Sequence, residues 1–280
     1  MQDPPPVNQQ LEGTHYPTDE QKSPKNQQIL ESMRYAKRIQ QALCTCERRL
    51  RCVFPNSFMF HLPKCELSGD FVYLQQKRER IYLVVGDCTG HGIPASLLTV
   101  ISVVQLNQLI EEAGKEIEPA HILYTFDFLF TEQLKNEESP IIRDGVEMAV
   151  CIIDQRERVL HFGGARQSLY YICHNELHHY KGSRDTLGWS LKTYLQKDFQ
   201  TISIPLQPDQ TNRFYFATDG FANQFNPEGK KLTPKNFRAM LKSISYLPMQ
   251  EQGDLLKELF LQWKGDSKQI DDVLIIGFQV

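Results

Sequence analysis

The chain has 280 residues, 41% of them hydrophobic with 16 Phe, 11 Tyr and 2 Trp, and a formal net charge of −3. That suffices for one large α/β domain or two small ones with a sizeable core, and so small a net charge gives no reason to expect nucleic acid or an anionic membrane as partner. No apolar stretch approaches the roughly 18 residues of a membrane span, and the Gln- and Pro-rich start does not read as a signal peptide, so a soluble, cytoplasmic chain is expected.

Residues 1–25 are rich in Pro, Gln, Asn and Lys with little that could pack, and read as a disordered arm. From Asn26 to Leu50 the residues Ile29, Met33, Ala36, Ile39 and Leu43 are spaced 4, 3, 3 and 4 apart, a helical stripe. A helix over 26–52 would either dock this stripe on the following domain or pair it with its copy in a homodimer through residues 26–50. Two or three heptads are too few to choose.

After Pro55 the pattern changes to short strands, about 57–62, 69–76 and 80–87, the last two forming a hairpin across Gln75–Glu79. Pro94 opens a helix whose Leu97, Leu98, Val100, Ile101, Val103, Val104 and Leu106 are apolar nearly all round, as for a helix buried on a sheet. A second helix covers about 119–135. Strands follow at 146–153, 157–163, 167–173, 177–180, 198–204 and 212–218, then helices at 234–245 and 249–263 and a last strand at 272–280. Mostly hairpin-linked strands with helices in two pairs predict one antiparallel α+β layered domain over 53–280. The seven cysteines contain no C-x-x-C pair and read as reduced, mostly buried thiols. His174, His178 and His179 beside Cys173 read as a solvated hairpin rather than a metal site.

Acidic residues recur at strand ends. Asp87 closes the apolar run Ile81–Val85 and enters the turn Gly86-Asp87-Cys88-Thr89-Gly90-His91-Gly92. Asp219 closes Phe214–Ala217, Asp271 and Asp272 precede Val273–Ile276, and Asp70 follows Ser68-Gly69. Hard divalent cations such as Mg²⁺ and Mn²⁺ take oxygen ligands and keep several waters, so a few carboxylates suffice. Two such ions sharing a water can activate it and hold a phosphoryl group. Glycines 69, 86 and 220 would let a ligand or a carbonyl come close. Each Asp-Gly pair is also an ordinary turn, and Asp144-Gly145 is read as one. Nothing in the sequence reads as covalent catalysis by a Ser-His-Asp or Cys-His pair, and no G-x-x-x-x-G-K-[ST] phosphate loop is present.

Ser68-Gly69-Asp70-Phe71, Val85-Gly86-Asp87-Cys88-Thr89-Gly90-His91-Gly92-Ile93-Pro94-Ala95, Thr218-Asp219-Gly220 and Asp271-Asp272-Val273 resemble, in order and spacing, the motifs of the SpoIIE/RsbU-like branch of the metal-dependent (type-2C, or PPM) serine/threonine phosphatases. Asp144-Gly145-Val146-Glu147-Met148-Ala149 and Phe162-Gly163-Gly164-Ala165-Arg166 resemble two further blocks, the likeness spans about 55–280, and Ser32–Gln40 within the 26–52 helix resembles the signalling helix that links such domains to sensory modules. The resemblance implies an α-β-β-α sandwich of two mainly antiparallel sheets holding two Mn²⁺ or Mg²⁺ ions. By position Asp87 would bridge both ions with help from the Cys88 carbonyl, Asp70 would support the pair, and Asp219 and Asp271 would hold the second, with Asp272 as runner-up to Asp271. A bridging hydroxide would attack phosphoserine or phosphothreonine on a phosphorylated regulatory protein such as an anti-sigma-factor antagonist. His91 reads more simply as a turn residue than a proton donor. Arg143 and Arg166 are the candidates to grip phosphate, each reading more simply as a surface residue. Two rivals stand beside this: a catalytically silent module of the same fold that binds a signalling partner, and a receiver-type phosphoacceptor, which would want its paired acids after the first strand.

Overall fold

The computed structural model describes residues 24–114, 116–135, 144–188 and 196–280. The arm expected over 1–25 lies outside them save for its last two residues, and so does Arg143. Eleven strands lie in two antiparallel sheets among the described residues. One sheet runs β1(Ser57–Leu62), β11(Val273–Gln279), β10(Arg213–Ala217), β6(Ser168–Cys173), β7(Glu176–Lys181). The other runs β2(Asp70–Lys77), β3(Arg80–Cys88), β4(Gly145–Asp154), β5(Val159–Ala165), β9(Ile202–Pro205), with the two-residue β8(Leu187–Gly188) also paired to β4.

The apolar runs of the central strands are continuous because both faces are covered. In β3, Ile81, Leu83 and Val85 enter the layer between the sheets, while Tyr82, Val84 and Cys88 face α3(Ile93–Glu112) and α4(Pro119–Leu134). The outer face of the first sheet is closed by α5(Gly220–Asn223), α6(Pro234–Ile244) and α7(Met249–Lys264) through Phe221, Phe237, Leu256 and Phe260. The result is the expected α-β-β-α sandwich. Phe54, Phe214 and Phe278 fill one end of the inter-sheet layer, Phe54 and Phe278 at a centroid separation of 4.6 Å and Phe214 and Phe278 at 5.5 Å. Such pairs contribute about 0.5–1.5 kcal/mol each beyond their area.

Three expectations need correction. α3, with 20 residues, is long and apolar enough by length and composition to cross a membrane, contrary to the reading of the sequence, although more than half of it is buried on the sheet and α4. The helix expected over 26–52 is two, α1(Pro24–Leu43) and α2(Glu47–Val53). The break at Cys44–Cys46 has a tertiary cause: the Thr45 N–H donates to the Val72 carbonyl of β2 at 2.8 Å. Finally, the stripe that marked α1 splits. Met33, Ala36 and Gln40 turn toward the domain, where Gln40 Nε2 donates to the Ser68 carbonyl at 2.6 Å, whereas Ile29, Ile39 and Leu43 stay exposed beside Leu30 and Tyr35. The histidine-rich segment is the β6–β7 hairpin, with His174 and Asn175 both at positive φ, the backbone of a tight two-residue turn.

Candidate active site

Strand register sets the first half of the site. Asp70 at the start of β2 pairs across the sheet with Asp87 at the end of β3, and Asp87 pairs in turn with Glu147 near the start of β4. Directly opposed residues of antiparallel strands share a face. The parity of β3 makes this the inner face, the one that carries Val85 and Leu83. Three carboxylates therefore stand in a row along one end of the inter-sheet layer, opposite to its phenylalanine end.

The other sheet brings its acids to the same end. β10 ends at Ala217 and β11 begins at Val273 alongside it, and the Thr218 N–H donates to the Leu274 carbonyl at 2.9 Å. Thr218 also joins the sheets: its Oγ1 accepts from the Leu274 N–H at 3.0 Å and donates to Asp70 Oδ2 at 2.7 Å. Asp219 stands at the N-cap position of the one-turn α5, its Oδ2 accepting from the side chain of Asn223 (Nδ2) at 2.7 Å. Asp272 spans the gap from the other side, Oδ1 accepting the Lys64 N–H at 2.6 Å and Oδ2 the Gly69 N–H at 2.7 Å. Among the described residues the Asp271 carboxylate keeps one link, the Asp272 N–H donating to its Oδ1 at 2.9 Å.

The glycines have a plain steric reason here. A Cβ on Gly220 would stand 1.9 Å from the Asp272 carbonyl oxygen, and one on Gly69 would stand 2.8 Å from the Cys88 carbonyl oxygen. Only a residue without a side chain lets these backbones approach. Gly86 differs, since it makes room for the Phe71 ring rather than for a carbonyl.

Crowding of like charges dominates the electrostatics. Burial, then the charge of Asp87, holds the Asp70 carboxyl well above the usual carboxylate range, despite the hydrogen bond from Thr218. Asp87 is raised likewise, by burial and then by Asp219, Glu147, Asp271 and Asp272. Glu147, Asp219 and Asp271 are each raised, first by burial; Arg166 opposes this at Glu147, Lys231 at Asp219 and the Asp272 N–H at Asp271. Such a cluster asks for positive charge. Its donors are all hard oxygens, which suits Mg²⁺ or Mn²⁺. Among the described residues no three His, Cys, Asp or Glu side chains are gathered closely enough to hold a single ion by themselves. The donor chemistry fits ions that keep several waters between themselves and the protein.

The structure thus brings together Asp70, Asp87, Asp219, Asp271 and Asp272, drawn from segments as far apart as residues 70 and 272. The Cys88 carbonyl lies beside Gly69 within the same end, while the Cys88 thiol is buried under Thr99. His91 is exposed, its Nδ1 3.6 Å from Cys65 Sγ. Asp144-Gly145 borders the site structurally: the Thr89 hydroxyl donates to the Gly145 carbonyl at 2.9 Å, which ties the Asp87 turn to β4. Glu147 and Thr218, within the segments Asp144–Ala149 and Thr218–Gly220, are site residues that the motif resemblance alone does not single out. Glu147 was legible in the alternation of β4, where it shares parity with Ala149, Cys151 and Ile153.

Two sheets enclosed by helix pairs, with acids at one edge, define the PP2C (PPM) phosphatase fold. The sequence matches the family described as Stage II sporulation protein E (SpoIIE) over residues 77–280, and the chain belongs to that family. Its structure is similar to the SiaA-PP2C domain of Pseudomonas aeruginosa, with a TM-score of 0.80 and 28% identity, covering 92% of this chain and 99% of that one. It shares its fold with the PP2C phosphatase domain and regulatory fragment of SpoIIE from Bacillus subtilis (TM-score 0.62, 16% identity, 80% of this chain and 63% of that one). It also shares it with RsbX in complex with magnesium (TM-score 0.53, 14% identity, 80% and 94%). A comparison with curated proteins finds no match.

Proposed function

We propose that the chain is a metal-dependent protein serine/threonine phosphatase that removes phosphate from a phosphorylated regulatory protein of the anti-sigma-factor-antagonist kind. The observation that carries this reading is the convergence of Asp70, Asp87, Asp219 and Asp271 from both sheets on one end of the inter-sheet layer. In this reading Asp87, the Cys88 carbonyl, Asp70, Asp219 and Asp271 are the groups that would hold two Mn²⁺ or Mg²⁺ ions. When bound, the ions supply a water acidic enough to attack phosphorus and offset charge building on the phosphoryl oxygens. The protein's part is to fix the carboxylates before substrate arrives. Thr218 orients Asp70, Asn223 orients Asp219, and the sheet register sets Asp87 between Asp70 and Glu147.

A silent binding module would keep these carboxylates crowded and partly desolvated without any gain, which argues against that rival. We assign residues 53–280 to the catalytic domain and α1 with α2 to a signalling linker. The exposed row of Ile29, Tyr35, Ile39 and Leu43 on α1 is the surface we assign to a second copy. Sedimentation should then show a dimer that Ile39→Asp with Leu43→Asp converts to monomer, and a wild-type chain that sediments as monomer throughout would contradict the pairing. The function itself is tested by hydrolysis of a chromogenic aryl phosphate and of a phosphoserine peptide. Activity that requires Mn²⁺ or Mg²⁺ and disappears with a chelator is expected; full activity in the chelator would refute the metal mechanism.

A further inference from the structure

Asp127 and Lys197 form an ion pair sealed from solvent. Their side chains are 2% and 1% exposed, and Lys197 Nζ lies 2.7 Å from Asp127 Oδ1. The same ammonium donates to two main-chain carbonyls, that of Thr186 at 2.8 Å and that of Gly188 at 3.2 Å. An ammonium has three donors, and all three are used. From the other side the Gly188 N–H donates to Asp127 Oδ1 at 2.7 Å. One turn earlier on α4, the Tyr124 hydroxyl donates to the Lys197 carbonyl at 2.9 Å and accepts the Phe199 N–H at 3.1 Å. Helix α4 therefore anchors both residues 186–188 and residues 197–199. Burial raises the Asp127 carboxyl, and Lys197 with the Gly188 N–H opposes that rise.

A buried pair of this kind is weak evidence of stability, because desolvation of both charges offsets most of their attraction; its best-attested use is to fix register. The element gripped here needs that help. β8 has only two residues, shorter than strands usually are, and sets little register by itself. It also adjoins the carboxylate end. Leu187 pairs with Val146 on β4 and Val146 with Cys88 on β3, so three strands stand abreast at the row of Cys88. One residue on, Gly188 pairs with Gly145. The Gly145 carbonyl accepts both the main-chain N–H and the hydroxyl of Thr89, each at 2.9 Å. The turn that follows Asp87 thus hangs on the first residue of β4, and β8 holds that residue from its far side.

We infer that Asp127 and Lys197 are positioning residues for the metal centre: by pinning β8 they hold Gly145 and Thr89, and with them the Asp87-Cys88 turn, in the geometry that divalent ions require. The metal centre served is that of the phosphatase reading, whereas the local order of the turn is measurable without metal or substrate. The experiment compares wild type with Asp127→Asn, with Lys197→Met and with the double variant Asp127→Leu, Lys197→Met. Leu256→Ala, at a fully buried position on the outer face of the other sheet, serves as a stability control. Denaturant unfolding reports the fold, and hydrogen exchange of the Thr89 and Gly188 amides in metal-free protein reports the turn. Calorimetry gives the Kd of Mn²⁺, and hydrolysis of an aryl phosphate gives kcat and KM.

Each single variant should speed exchange at Thr89 and Gly188 and weaken Mn²⁺ binding by roughly 10-fold, the low end of what outer partners of metal ligands contribute. Hydrolysis should fall in kcat with KM near wild type. The double variant should regain the stability that the single changes lose, since an apolar pair replaces the unpaired charge, yet keep the weak Mn²⁺ binding. If the single variants do not fold, the double variant decides by the same readouts. Wild-type Mn²⁺ affinity and Thr89 exchange in a folded variant would overturn the inference. So would Leu256→Ala reproducing both changes at an equal loss of stability, which would reduce the pair to a structural role. Pair-dependent Mn²⁺ binding in a chain that hydrolyses nothing would sustain the positioning role and sink the phosphatase reading, whereas an active enzyme indifferent to the pair would do the reverse.

Discussion

Asp87→Asn is expected to cut Mn²⁺-dependent hydrolysis by roughly 10³-fold or more, because charge stabilisation by a bound ion supplies several kcal/mol of the barrier reduction. The same substitution should raise the melting temperature of the metal-free protein. Asp87 is a partly buried carboxylate amid Asp70, Glu147, Asp219 and Asp271, and its own charge is held at a cost. Removing that charge while keeping the shape relieves it. A rise of about 2–4 °C corresponds to ~1 kcal/mol in a chain of this size.

The pH dependence follows with a definite sign. All five of these carboxyls are raised in the folded state, so the folded chain holds their protons more tightly than the unfolded chain does. Their burden on stability is absent below about pH 4, the ordinary carboxylate range. It grows as pH climbs toward the folded-state values and is fully present above them. Metal-free protein should therefore lose stability as pH rises through that window, and Mn²⁺ should restore it at neutral pH by binding only the folded state. Unfolding curves recorded with chelator and with Mn²⁺ check this. Unchanged hydrolysis in Asp87→Asn would contradict the metal mechanism, and metal-free stability that rises through the same window would contradict the crowding of the carboxylates.

Asp271 and Asp272, adjacent in sequence, should respond in opposite ways. Both oxygens of the buried Asp272 accept main-chain N–H groups, from Lys64 and from Gly69. Asp272→Ala would strand two donors that lose charge-assisted bonds, a destabilisation of about 3 kcal/mol. The damage would also reach the site, since the loop before β2 delivers Asp70. Asp271 is less buried, and among the described residues its carboxylate accepts only the Asp272 N–H. Asp271→Ala should leave stability within about 1 kcal/mol and weaken Mn²⁺ affinity instead. Denaturant unfolding and calorimetric Mn²⁺ titration of the two variants separate these outcomes. A stable Asp272→Ala chain with weakened Mn²⁺ binding, beside an unaffected Asp271→Ala, would exchange the two roles.

Much of this was legible in the sequence wherever one local pattern decided the structure. The apolar runs of β3 and β10, each followed two residues on by an aspartate, located both sheets and two of the acids. Pro94 and the apolar helix after it located the cover of the second sheet. What escaped depended on partners distant in the chain. Nothing near Thr45 announces that its N–H will meet Val72 and end a helix. Adjacent acids look alike until one finds Lys64 and Gly69. Arg166 looks like any surface cation until its strained turn and the Glu147 carboxylate are seen together. β8 and α5, of two and four residues, are too short to carry a periodicity.

The most direct measurement is a crystal structure of the Mn²⁺-soaked protein with anomalous scattering recorded to locate manganese. Two peaks are expected at the end of the inter-sheet layer, near the carboxylates of Asp87, Asp219 and Asp271 with Asp70 close by. Manganese bound elsewhere, or none at fully ordered carboxylates, would contradict the metal centre and with it the phosphatase.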